Sequence, residues 1–200
     1  MHMKLSSVLI SGFIVTVISG CSHNITLSPD YGETEIINQE MNLEPPKNFS
    51  VAYYISPENK KSIVTTPGGG GDSITYTPYK DLNGVIYNAL TAHFSDVYSL
   101  KSLDNKKFIK KKEIRYIFTP TIKTDSYSDS SFTWPPTQFS IELKTEAVDT
   151  NNEVIWSKTI EEEGHAEYDD FKSDFSLTAK RASQKLYRTL VEELKSFPKD

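Results

Sequence analysis

Glu163, His165 and Glu167 fall at i, i+2 and i+4 in the run EEEGHAE. On a β-strand these three side chains share one face. Two carboxylates and an imidazole on one face have the chemistry to hold a divalent metal. A solvated acidic strand edge, which also discourages aggregation, accounts for the same residues, and we expect no metal. Gly68 to Gly71 invite a phosphate-loop reading. A phosphate loop needs a Lys and a Ser or Thr beside the glycines, then a helix N-terminus facing the phosphate. Here Asp72 and a strand-like SITYT follow, so a loose hairpin tip is the better expectation. His93 lies near the apolar stripe of a candidate helix and reads as a packed histidine. The chain contains no GxSxG, HExxH or CxxC. No catalytic residue is assigned, and we expect a non-enzymatic protein.

The one cysteine, Cys21, sits in VISGCSHN. Before it, Lys4 supplies a positive start and Leu5 to Ile18 an apolar run. That is the plan of a secretory signal peptide, and the run is short for a membrane span of about 20 residues. Ile18-Ser19-Gly20-Cys21 resembles the bacterial lipobox. The resemblance implies cleavage before Cys21, a diacylglycerol on its thiol and an acyl chain on its new amine. No cofactor beyond these covalent lipids is expected. Each buried CH₂ contributes roughly 0.8 kcal/mol, so two or more chains anchor firmly. A cysteine committed to lipid leaves the exported chain without a disulfide, so the fold must stand on its own core. Ser22 in place of Asp, by likeness to enterobacterial lipoproteins, points to the outer membrane with the domain on the periplasmic side.

The 200 residues carry a net charge of −5, with 11 Tyr and 10 Phe. Mild acidity argues against nucleic acid as a partner. Residues 1–20 read as a cleaved signal peptide, 21–48 as a lipidated N-terminus and tether, and 49–200 as one globular domain. As a flexible coil the tether would span roughly 30 Å.

Within the domain, FSVAYYIS at 49–56 reads as a strand. SIVTT and SITYT flank PGGGGDS, as a hairpin with a loose tip or as one long loop. Residues 81–100 place Leu82, Val85, Ile86, Ala89, Leu90, Phe94 and Val97 on one stripe, predicting an amphipathic helix capped by Asp81. KSLDNKKFIKKKE reads as a basic loop and 114–128 as a strand. The clearest hairpin has DTNN at its tip, with Phe139, Ile141, Leu143 and Ala147 alternating on one strand. Val154, Trp156 and Ile160 alternate on the other. Residues 173–197 carry a helical stripe of Ala179, Ala182, Leu186, Leu190 and Leu194, with Pro198 just beyond. These elements predict an α+β fold: a two-layer α/β sandwich, a mostly antiparallel sheet with two amphipathic helices on one face.

FTPTI, the hairpin ELKTEAVDTNNEVIWSKTIEEEGHAE and the helix AKRASQKLYRTLVEELKSF together resemble small outer-membrane lipoproteins. These include the YajG-type lipoproteins and the fold of the TolB N-terminal domain. The resemblance spans about 120 residues from Asp81. It implies an accessory part of an envelope machine and no catalytic residues.

Two surface features remain. Lys106, Lys107, Lys110, Lys111, Lys112 and Arg115 form a basic cluster suited to anionic headgroups or phosphate-bearing polymers. Tyr127, Phe132 and Trp134, beside Pro135 and Pro136, form a stiffened aromatic loop suited to a protein or glycan partner. The expected function is thus an accessory or scaffold lipoprotein of an envelope complex, working through a sheet edge or the Trp134 loop. The alternative is a ligand-binding module for envelope glycan or lipid. A hydrolase without a recognised motif is a third reading.

Overall fold

The computed structural model describes residues 20–30, 41, 43–69, 71–128 and 134–198. The apolar stretch before Ser19, residues 31–40 and 42 of the predicted tether, and Phe132 lie outside them. Among the described residues no helix is long and apolar enough to cross a membrane.

Among the described residues eight strands form two sheets. The larger has the order β5 (Phe94–Leu100), β2 (Lys47–Tyr54), β6 (Ile114–Tyr127), β7 (Gln138–Val148), β8 (Val154–His165), and the smaller the order β1 (Ser22–Asn24), β4 (Asp72–Tyr76), β3 (Val64–Gly69). Its frame is the long pair β6 (Ile114–Tyr127) and β7 (Gln138–Val148), extended by β8 (Val154–His165). All are antiparallel and register-matched over most of their length. Their alternation drives the packing. Phe139, Ile141, Leu143 and Ala147 are all buried on one face of β7, and Trp156 and Ile160 continue that face on β8. Val154 does not: it is exposed at the strand start, where the β7–β8 register shifts. At the hairpin tip the Asp149 carboxylate accepts from the N–H groups of Asn151 and Glu153. Asn152 takes φ 65°, a conformation asparagine tolerates.

The α+β class holds, with the longest ladders antiparallel and one refinement at the centre. Strand β2 (Lys47–Tyr54) runs parallel to both its neighbours, β5 (Phe94–Leu100) and β6. Parallel neighbours need crossover connections, and the chain supplies two. One passes through α1 (Pro57–Lys60), the small sheet, α2 (Pro78–Asp81) and α3 (Asn83–Thr91). The other is α4 (Lys106–Lys111).

The predicted helix over 81–100 is therefore two elements. It stops after Thr91, and Phe94 to Leu100 become the edge strand β5. Phe94 and Val97 continued the helical stripe by spacing alone, and pairing with β2 outweighs that local preference. Asp81 does not cap α3. Its carboxylate instead accepts from the Thr77 hydroxyl and the Leu27 N–H.

After the short α5 (Tyr168–Phe171), helix α6 (Leu177–Leu194) buries Ala179, Ala182, Leu186, Leu190 and Leu194 against β7 and β8, and α3 lies beside it. Both helices are thus on one face, as expected. Gly164 lets α6 come close: a Cβ there would sit 1.9 Å from the Thr178 carbonyl oxygen. The opposite face is also partly covered. Val51 and Tyr53 point into the main core, whereas Ala52 and Tyr54 point the other way. There Phe108 and Ile109 of α4 pack on Ala52, Leu100 and Ile114. The basic stretch is a short helix with an Asn105 cap rather than a loop.

The hairpin β3 (Val64–Gly69) and β4 (Asp72–Tyr76) forms as predicted, but in its own sheet. It lies over the half of β6 that β2 does not reach. Thr66 bonds Ser126 hydroxyl to hydroxyl, and the Tyr79 hydroxyl accepts from the Ile122 N–H. The third strand, β1 (Ser22–Asn24), comes from the predicted tether and runs parallel to β4. Ile25 and Leu27, alternating after it, are buried in the main core. Residues 22–28 are therefore part of the domain. Two apolar side chains in alternate positions stabilise a docked segment more than a solvated coil would allow.

Candidate functional site

Cys21 is exposed at the point where the chain enters the domain. Its backbone is held on both sides. The Cys21 N–H donates to Asp72 Oδ1 at 2.7 Å, and its carbonyl accepts from the Ser73 N–H at 2.9 Å. The other carboxylate oxygen, Asp72 Oδ2, lies 3.3 Å from His23 Nε2. The His23 ring packs against Trp134, with centroids 4.3 Å apart, and edge-on to Phe175 at 5.8 Å. Trp134 and Phe175 meet at 5.6 Å. One end of the molecule thus carries a thiol on a strand pinned by a carboxylate and walled by aromatics.

Of the predicted aromatic loop, Tyr127 and Trp134 are among the described residues. Trp134 is half-buried and covers Gly68, whose absent side chain leaves room for the indole. Gly68 belongs to the run expected to be a loose tip, and it is instead the seat of a packed tryptophan. Trp134 therefore serves the N-terminal strand first, with Phe175 the more exposed ring of the group. Tyr127 is exposed and its hydroxyl donates to Glu163 Oε1 at 3.2 Å. Asp72, His23 and Phe175 were not singled out by sequence; each acts through a partner at least 40 residues away, which no local pattern records.

The Glu163, His165 and Glu167 trio divides. His165 Nε2 lies 2.9 Å from Glu167 Oε1, while Glu163 takes the Tyr127 hydroxyl. Among the described residues no group of three or more His, Cys, Asp or Glu side chains converges. Edge protection explains this strand instead. Arg181 donates to the His165 carbonyl and Lys185 to the Glu163 carbonyl, so α6 side chains cover the outer backbone of β8. His93 is buried and bonds the Val191 carbonyl at 2.7 Å. Burial holds its imidazole below the ordinary histidine range, an effect the Val191 bond partly opposes.

The lysines lie elsewhere. Lys107 and Lys111 are exposed on α4, and Lys112 stacks over Tyr98 at 5.0 Å. Lys110 turns with Lys106 and Arg115 into a groove of about 760 Å³ beside the β7–β8 turn. Cys21 and this groove sit at opposite ends of β6. Ser126, which donates to the Pro67 carbonyl of the hairpin beneath Cys21, and Ile117 in the groove are nine residues apart on β6. At a strand rise near 3.3 Å per residue that is roughly 30 Å.

No protein-family model matches the chain, and no curated protein resembles it in sequence. Solved structures with a similar course include a DUF330-family protein from Xanthomonas campestris, with TM-score 0.49 and 10% identity over 85% of this chain and 91% of that one. A Helicobacter pylori homologue of neuraminyllactose-binding hemagglutinin gives 0.47 and 14%, over 77% and 87%. A Caulobacter crescentus protein described as a candidate lipoprotein gives 0.32 and 10%, over 86% and 100%. None of the three descriptions names a YajG-type lipoprotein or a TolB domain, and none assigns this chain a function.

Proposed function

We propose that this protein is a lipid-anchored, non-enzymatic component of the bacterial envelope, an accessory or scaffold of an outer-membrane complex. The observation that carries the reading is the seating of Cys21. Strand β1 begins at the next residue, and the Cys21 N–H is bonded to Asp72. An N-acylated cysteine keeps one N–H, so the bond is compatible with full lipidation. Acyl chains on Cys21 would enter the bilayer with the domain docked directly behind them. Such an anchor sets which end of the domain faces lipid and which faces a partner, the property a scaffold needs.

The test has two stages. Cells expressing the protein are labelled with a palmitate analogue, and label is expected in the wild type and lost in Cys21→Ser. The lipidated protein is then crosslinked in intact cells, purified and analysed by mass spectrometry. A reproducible envelope partner supports the scaffold reading. Absence of label overturns the anchor, and label without any protein partner overturns the scaffold.

A further inference from the structure

The groove between α4, the start of β6 and the β7–β8 turn has a definite chemistry. Lys106, Lys110 and Arg115 line one side, and Ile109, Tyr116 and Ile117 give it apolar surface. The Arg115 guanidinium is stacked 5.1 Å over Phe49, which restrains its plane. The surrounding segment 101–115 carries seven cations against Asp104 and Glu113, although the whole chain is net −5. An anionic ligand is thus drawn to this end and repelled by most of the rest.

Three features select among anions. The groove lies roughly 30 Å along the long strands from Cys21; with the domain anchored there and the strands standing off the membrane, the headgroups of that bilayer are out of its reach. Glu113 and Asp149 also line it, so a densely charged phosphate polymer meets repulsion as well as attraction. Asp149 stays ionised, because the Glu153 and Asn151 N–H groups hold its carboxyl below the usual range. Apolar surface between spaced charges suits side chains of a peptide, since protein interfaces place apolar contacts at the centre and charges at the rim.

We infer that this groove docks an acidic segment of a protein partner, its carboxylates on Lys106 and Lys110 and an apolar side chain on Ile109 and Ile117. The inference deepens the scaffold reading and rests on it. It places the partner at the end of the domain away from the anchor.

The probe is a fluorescein-labelled random copolymer of glutamate and tyrosine, titrated by anisotropy against the full lipidated protein in neutral-lipid nanodiscs. Wild type is expected to bind, and the double variant Lys106→Glu/Lys110→Glu to bind at least about tenfold more weakly, as truncated or reversed interface charges do. Lys106→Gln/Lys110→Gln gives an intermediate loss and guards against a folding defect in the double reversal. Lys123→Glu/Lys144→Glu, on strands β6 and β7 away from the groove, is expected to bind as wild type. Phosphatidylglycerol vesicles and purified peptidoglycan sacculi are run alongside. Equal copolymer binding by wild type and groove variants overturns the inference. Groove-dependent binding to vesicles or sacculi without copolymer binding overturns the peptide assignment. Because the readout uses no cellular partner, its failure leaves the crosslinking result standing, and the reverse.

Discussion

Asp72 bonds two residues of the N-terminal strand at once: the Cys21 N–H at 2.7 Å through one carboxylate oxygen and His23 Nε2 at 3.3 Å through the other. The hairpin tip thereby holds the residue that would carry the lipid. Asp72 and His23 side chains are both about 30% exposed, so solvent screens the pair and the effect on global stability is small.

Asp72→Ala should therefore cost about 1 kcal/mol or less by chemical denaturation. Its effect should instead be local. Releasing the first residues of β1 lowers the cost of opening that strand, and local opening is what proteases sample. Limited proteolysis within residues 22–28 should speed up several-fold, while cleavage elsewhere stays at the wild-type rate. Uniform acceleration across the chain would show that Asp72 supports the whole fold rather than the anchor.

Two glycines should respond differently to the same methyl group. A Cβ on Gly68 would meet the Trp134 ring at 2.2 Å, and a Cβ on Gly164 the Thr178 carbonyl oxygen at 1.9 Å and the Ala182 nitrogen at 2.5 Å. A side chain can swing away, but a helix backbone packed along β8 cannot. Gly68→Ala should cost about 1–2 kcal/mol and shift tryptophan emission to the red as Trp134 is displaced, within the range for overpacking. Gly164→Ala should cost about 3 kcal/mol or more, since α6 must lift from the sheet. Similar losses in urea titrations of the two variants would contradict this contrast.

Legibility in the sequence followed the range of the interaction. The β7–β8 hairpin and α6 were readable because Phe139, Ile141 and Leu143 repeat at two, and Ala182, Leu186 and Leu190 near four, and burial obeys both periods. Residues 94–100 were not, because no Gly or Pro interrupts the stripe between Leu90 and Phe94; only the β2 edge decides their conformation. Helix α4 was hidden by its charge, although Asn105 ahead of Phe108 and Ile109 is a legible start. The docking of 22–28 had one local trace, the alternation of Ile25 and Leu27. The Asp72 clamp had none, since its partners are 51 and 49 residues away.

His93 should give the protein a pH dependence in mildly acidic solution. Its imidazole is buried and bonds the Val191 carbonyl, which as a pure acceptor requires the Nε2–H tautomer. Burial lowers its affinity for a second proton, the Val191 bond and Glu192 oppose this, and Lys47 and Lys195 add to the lowering. The unfolded chain therefore takes up that proton first as pH falls. Stability from this residue is full above the ordinary value of about 6.5 and declines as pH drops toward the folded value, where it levels off. The carboxyls of Asp149, Asp170 and Asp174 are held below their ordinary 3.8, so their own losses come at lower pH. Urea titrations between about pH 7 and pH 5 should show falling stability in the wild type and a shallower fall in His93→Gln, whose amide can still donate to Val191 without titrating. Parallel slopes in the two proteins would assign the acid sensitivity to other groups and leave His93 a neutral packing residue across the whole range.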